Sequence, residues 1–282
     1  MIVFRKLQNF FRKLEHLCLP TLQAKLKLIL AINSDILIAK MLDNPKYADP
    51  KRLEPYGFSV YSQNDEDGII QEIFNRIGTS SKVFVEFGVG DGMENNTAYL
   101  LMQGWKGLWI EGSSMFVEQI KKIYNKPLKN SQLKLEHSFI TKDNINSLIG
   151  THFDGEIDLL SVDIDGNDYY VWKNITCINP RVVIAEYNAK FPPPCRFSIP
   201  YNEHHIWDGS DLMGMSLQTA TDLAESLGYQ LVGTNLNGVN AFFVRKDLVK
   251  NLFAESSIAN LYNAFRPYIG FPKGHEAKYF LG

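Results

Sequence analysis

From residue 83 onward, short apolar runs alternate with stretches in which apolar side chains recur every three or four positions. The runs VFVEF (83–87), GLWIE (107–111), LKLEHSF (133–139), IDLLSVD (157–163) and RVVIAEY (181–187) predict five strands. The intervening periodicity predicts helices near 95–102, 113–125, 142–149 and 167–174. Strand and helix taken in turn predict an α/β domain with a doubly wound, parallel sheet. The rhythm then changes. After a helix near 216–227, YQLVGTN (229–235) and NAFFVRK (240–246) are joined by a turn containing Asn237 and Gly238, a hairpin signal. The expected sheet is therefore seven-stranded and mostly parallel, with an antiparallel terminal hairpin.

The flanks read differently. Pro45, Pro50 and Pro55 punctuate a stretch that reads as a linker, so residues 1–55 are expected to be a helical N-terminal extension and linker. Residues 56–246 form the expected catalytic domain and 247–282 a C-terminal arm. In the first 30 residues, Val3, Phe4, Leu7, Phe10, Phe11, Leu14 and Leu17 lie at helical spacing among Arg5, Lys6, Arg12, Lys13, Lys25 and Lys27, with Glu15 the one acid. No apolar run there reaches the roughly 18 residues of a membrane span, and no cleavage signal follows. The apolar stripe is expected to pack on its own domain or on a second copy, with an anionic membrane surface as the alternative.

Composition narrows the partners. A chain of 282 residues with 45% hydrophobic and 21% charged side chains is that of a globular protein, and its net charge of -2 supplies no basic field for nucleic acid. Cys18, Cys177 and Cys195 have no metal-ligand spacing and read as reduced thiols of a cytoplasmic protein, free or peripheral to the inner face of the membrane.

The candidate chemistry begins where the first strand ends. Gly88, Gly90 and Gly92 let a ligand approach backbone at the carboxyl end of a strand, where open α/β sheets bind ligands. A dinucleotide fingerprint is G-x-G-x-x-G. Here the spacing is G-x-G-x-G, and Glu86 and Asp91 stand where a pyrophosphate would repel them. Two carboxylates suit a ligand with a sulfonium and an ammonium. Glu111, ending the second strand, can take both hydroxyls of a ribose.

These features together resemble the FkbM-type family of class I S-adenosylmethionine (SAM)-dependent methyltransferases. The resemblance covers about residues 56–246 and is carried by YSQNDEDGII ahead of the first strand, VEFGVGDG, LWIEGS and LLSVDIDGNDYYVW. It implies a Rossmann-like methyltransferase fold. The implied cofactor contacts are Glu86, Gly88, Gly90, Asp91, Asn96, Thr97, Glu111, Ser138, Phe139 and Asp163, with Tyr61, Ser62, Gln63 and Glu66 closing over the methionine end. The plainer reading of YSQNDED is a solvated helix start, since Asn64, Asp65 and Asp67 are ordinary capping residues.

A second constellation follows the fourth strand. Asp163, Asp165 and Asp168 crowd six residues, and Glu186 and Asn188 follow the fifth strand. Hard oxygen ligands of this kind suit Mg²⁺ or Mn²⁺. The stretch also looks like the DADKDNY segment of metal-dependent catechol and caffeoyl-coenzyme A type O-methyltransferases. That likeness implies Asp163 and Glu186 as metal ligands, with Asn188 a displaced third. Their lysine is Gly166 here, so a lysine base does not carry over. Asp163 and Asp165, with His204 and His205 of the long loop 188–215, are the candidate catalytic groups. The expected activity is SAM-dependent O-methylation of a hydroxyl on a small molecule or glycan. The rivals are a nicotinamide-dependent oxidoreductase and a non-catalytic subunit that docks on a membrane or partner enzyme.

Overall fold

The computed structural model describes Leu22, Lys25, Leu26 and residues 28–270 except Ser256. The expectations for residues 1–21, including Cys18, lie outside the described residues. One seven-stranded sheet organises the rest: β1 (Val83–Phe87), β2 (Lys106–Glu111), β3 (Leu133–His137), β4 (Gly155–Val162), β5 (Ile178–Glu186), β6 (Tyr229–Thr234) and β7 (Asn240–Arg245). The spatial order is β3-β2-β1-β4-β5-β7-β6. β1 pairs in parallel with β2 and β4, and β7 runs antiparallel to both β5 and β6. This order, with its single reversed strand slotted between β5 and β6, is the Rossmann-like methyltransferase arrangement.

The strands are apolar throughout because both faces of the sheet are covered. Val85, Leu108, Leu160 and Val183 point to one core, while Phe84, Trp109, Leu159 and Val182 point to the other. The reversal at the end follows from the turn. Gly238 takes φ +73°, and the Asn235 side-chain oxygen accepts from the backbone N–H of Val239 and Asn240.

Both flanks pack on the sheet domain. Leu53 is fully buried in the second core. The Arg52 guanidinium bonds Glu54 and the Asn260 carbonyl, and the Tyr47 hydroxyl donates to Asn263 Oδ1 at 2.8 Å. Phe253, Leu261 and Ile269 are buried as well.

β1 lies between β2, which precedes the sheet's turn back to β3, and β4, which continues the other way. Strand order therefore reverses at its carboxyl end, which is where a cleft must open.

Candidate active site

Two cavities meet at that point. A smaller arm of about 410 Å³ is lined by Ile110, Glu111, Ser138, Phe139, Asn167 and His205, among others. A larger arm of about 1220 Å³ is lined by Gln63, Asp91, Glu186, Lys190, Trp207 and Phe265, among others. Gly88, Gly90, Phe116, Asp163 and Asp165 line both. They are the fork.

The glycines at the fork have different reasons to lack a side chain. A Cβ on Gly88 would sit 1.6 Å from the Asp163 carbonyl oxygen, so β1 and β4 can approach at their ends only without it. A Cβ on Gly90 would meet nothing, although its φ is +55°. The space beside Gly90 is thus cleft rather than protein. Its N–H donates to Glu111 Oε2 at 2.9 Å, and Ser113 N–H donates to the other Glu111 oxygen at 2.7 Å. Both carboxylate oxygens of Glu111 are fixed while the residue still lines the smaller arm.

Other residues expected to touch a cofactor lie beneath the loop instead. Glu86 is buried and accepts from Asn96 N–H, Thr97 N–H and the Thr97 hydroxyl, which in turn accepts from the Trp109 indole at 2.8 Å. Asn96 donates from its amide to Ser161 Oγ. Glu86, Asn96 and Thr97 line neither arm. They brace the loop from below. Burial pushes the Glu86 carboxyl up to about 7, against the pull of these donors.

The segment YSQNDED is mostly buried rather than a solvated helix start. Of Tyr61, Ser62, Gln63 and Glu66, only Gln63 is exposed and reaches the cleft; the other three are buried. Asp67, at the start of helix Glu66–Ile77, accepts from the N–H groups of Val60, Tyr61 and Ser62 through one oxygen. Glu66 accepts from Asn64 N–H and from the side-chain amides of Asn235 and Asn240, each within 2.9 Å. A knot of buried acids, held by amides from the terminal hairpin, ties the segment to the sheet.

At the fork, Asp163, Asp165 and Glu186 converge: one carboxylate oxygen from each lies within 4.8 Å of the others. Glu186 Oε2 is buried without a hydrogen-bond partner. Burial first, and then the mutual charge of Asp163, Asp165 and Asp168, hold the Asp163 and Glu186 carboxyls well above the ordinary carboxylate range. Asp165 is also raised by burial, with His205 opposing. Asp168 accepts from Ile164 N–H and Gly166 N–H, 2.9 and 2.8 Å away, and so holds the turn in which Asp165 takes a φ of +53°. Hard donors, an orphaned carboxylate oxygen and unbalanced negative charge together fit a divalent cation. Asn188 sits differently from the expected third ligand. Its amide donates to the Asp211 and Met213 carbonyls and accepts from Lys190 N–H, which commits it to the loop. Asp165 completes the set instead.

The loop 188–215 folds over both arms. Asn167 fixes it by donating to the Asn202 carbonyl, and the Tyr170 hydroxyl by donating to that of Ile199. It delivers His205 to the smaller arm and Trp207 to the larger, while His204 is exposed and lines neither. The His205 ring fills the space beside Gly166, where a Cβ would lie 2.2 Å from its Cδ2 and 3.0 Å from its Nε2. That nitrogen has no hydrogen-bond partner. The glycine in place of a lysine thus makes room for an imidazole beside Asp165. Sequence reasoning found His205 only as one of a pair, and the clearance at Gly166 separates the two.

No protein-family model matches the chain, and no curated protein matches it. Solved structures similar to it include the N-terminal domain of EvdMO1 with S-adenosylhomocysteine (SAH) bound, at 11% identity and TM-score 0.42, covering 64% of this chain and 79% of that one. Another is the glycopeptide N-methyltransferase MtfA complexed with sinefungin, at 12% identity and TM-score 0.38, covering 66% and 90%. A third is the methyltransferase domain of bacterial CtHen1-C, at 16% identity and TM-score 0.38, covering 62% and 94%. These likenesses stop at the fold.

Proposed function

We propose that the chain is a SAM-dependent methyltransferase acting on a hydroxyl of a small molecule or glycan. The observation that carries the reading is the fork: Asp163 and Asp165, with Glu186 beside them, stand where an arm of about 410 Å³ meets a second, larger arm. In this reading the smaller arm takes adenosine, with Glu111 on the ribose hydroxyls, Ser138 and Phe139 at the base, and the methionyl end crossing Gly88 and Gly90. Asp91, beside Gly90, faces the ligand's ammonium.

The acceptor occupies the larger arm with its hydroxyl at the fork. The oxygen attacks the methyl carbon, the S–CH₃ bond breaks, and SAH is the sulfur product. The hydroxyl proton goes to a base of this chain. Asp165, which lines both arms and has the His205 imidazole beside it, takes it. Holding oxygen, methyl and sulfur in line is the chain's main contribution, since alignment of this kind is worth about 7–11 kcal/mol. Asp163, Asp165 and Glu186 would hold Mg²⁺ or Mn²⁺. Such an ion, when bound, supplies Lewis-acid stabilisation of the developing alkoxide.

The test is thermal unfolding of the full chain with SAH and with NADH, each with Mg²⁺ and with a chelator. SAH at 100 times its dissociation constant should add about 2.7 kcal/mol, a rise of several degrees. NADH should add nothing, because its pyrophosphate would face Asp91 and Glu94. Glu186→Gln should keep the SAH shift and lose any added shift from Mg²⁺. A shift with NADH alone would overturn the cofactor assignment. An unchanged Mg²⁺ response in Glu186→Gln would overturn the metal ligands.

A further inference from the structure

The wall of the larger arm is unevenly charged. Asp91, Glu94, Asp163, Asp165, Glu186 and Asp211 line it, and among the described residues Lys190 is the one cation that does. The Lys190 ammonium is bonded to the Asp211 carboxylate, so it has little left for a ligand of opposite sign. Protons, which burial favours on Asp163 and Glu186, or a divalent ion at the fork would trim the negative surplus without reversing it. An acceptor bearing a phosphate or a carboxylate would enter against this field. An ammonium would be drawn in by it.

A second observation concerns the rings in the same wall. Trp207 is 44% exposed and Phe265 58%, and both line the arm. The Trp207 indole N–H donates to the Ser210 carbonyl at 2.7 Å, inside a turn that Asp208 closes by accepting from Ser210 N–H at 2.9 Å. With that donor spent, the indole offers a ligand its π surface. Exposed aromatic surface beside carboxylates suits an organic cation, because the ring quadrupole and the acids attract the same sign of charge. A neutral sugar would use the rings and leave the surplus of acids unanswered.

We infer that the acceptor taken by the larger arm is a hydroxylated amine of the amino-sugar class, its ammonium held by Trp207 and the acids of the arm while its hydroxyl reaches the fork. The inference rests on the methyl-transfer reading and narrows its acceptor. A protonated nitrogen has no lone pair, so the hydroxyl stays the nucleophile.

The experiment uses Trp207 as its own reporter. Trp105, Trp109 and Trp172 are at most 3% exposed, so collisional quenching reads Trp207. In the full chain with SAH and Mg²⁺, caesium should quench it more strongly than iodide at matched ionic strength. Glucosamine, in a mildly acidic buffer that keeps its amine protonated, should shield the indole from acrylamide at roughly a tenth of the concentration that glucose needs. Glucose 6-phosphate should not shield it. Glu94→Gln with Asp211→Asn removes two exposed carboxylates. It should raise the glucosamine concentration required about tenfold and leave the glucose response and the thermal shift with SAH unchanged.

Shielding by glucose or glucose 6-phosphate at the concentrations that serve glucosamine, or by none of the three, would overturn the inference. So would stronger quenching by iodide, or a glucosamine response that the double variant does not move. The SAH shift keeps the two readings apart. A chain that binds SAH and fails these tests loses the acceptor class alone, and one without an SAH shift loses the methyl-transfer reading.

Discussion

At the scale of single residues, the acids of this protein divide by what surrounds them. Glu86 accepts from Asn96 N–H, Thr97 N–H, the Thr97 hydroxyl and the Ser161 side chain, and burial still lifts it to about 7. Its unfolded-state value is near 4.5, so between those values the folded chain holds a proton that the unfolded chain releases. The sign follows directly. The stabilisation is complete below about pH 4.5 and is lost as pH rises through 7, with a span of about 3 kcal/mol. Asp67, lifted to about 6 by burial, tilts the curve the same way over a narrower window. The expected outcome is an unfolding midpoint, measured by urea titration, that falls from pH 5 to pH 8. In Glu86→Gln that slope should be shallower, whatever the variant's absolute stability. An unchanged slope would mean that Glu86 is ionised at the bottom of the window.

At the scale of elements, the loop after β1 is where two strands and a ligand compete for one space. Gly88 is confined by the residue that follows β4, Asp163, whose carbonyl would collide with any Cβ, and Gly90 is confined by nothing but its positive φ. The two positions should therefore fail differently. Gly88→Ala combines backbone strain with an overlap that only strand separation relieves, a loss of about 3 kcal/mol or more. Gly90→Ala carries the strain alone, about 1–2 kcal/mol, and should fold. Its methyl group would nevertheless project into the cleft. Isothermal titration should show SAH binding weakened at least tenfold in Gly90→Ala, while denaturant unfolding shows the greater loss in Gly88→Ala. Equal destabilisation with intact binding in both would remove the ligand from this loop.

The elements also show which parts of the chain could be understood before folding. Strands such as Val83–Phe87 and Asn240–Arg245 were legible because continuous apolar runs bounded by turn residues have one economical solution, a sheet buried on both faces. The reversed last strand was legible from Asn237 and Gly238. The acids of YSQNDED were not. Read locally they are solvated capping residues, and what buries them is Asn235 and Asn240, about 170 positions away. Asn188 misled for the opposite reason. Its place after a strand end suggests a ligand, but the loop it begins returns to use both ends of its amide. Local pattern carries the frame and the fork glycines. It does not carry which polar groups a distant segment will satisfy.

At the scale of the whole molecule, the stretch punctuated by prolines is part of the domain's structure, and a buried ion pair is one of the contacts that hold it there. Arg52 and Glu54 are each about 2% exposed and bond each other. A further Arg52 N–H, from Nη1, reaches the Asn260 carbonyl, so a single side chain links the segment before β1 to the segment after β7. Replacing both charges with apolar groups need cost little, but removing one strands the other. Arg52→Leu leaves the Glu54 carboxylate buried without its cation and should cost about 3–5 kcal/mol, readable as a lower urea midpoint. Arg52→Leu with Glu54→Leu should recover much of that loss. The two flanks would then still meet through Tyr47 and Asn263, whose hydrogen bond contributes about 1 kcal/mol. If the double variant were no more stable than the single one, the lost Asn260 contact rather than the stranded charge would account for the cost of Arg52→Leu. Because Ala264 and Phe265, just beyond Asn263, line the larger arm of the cleft, loosening this junction should also weaken whatever occupies that arm.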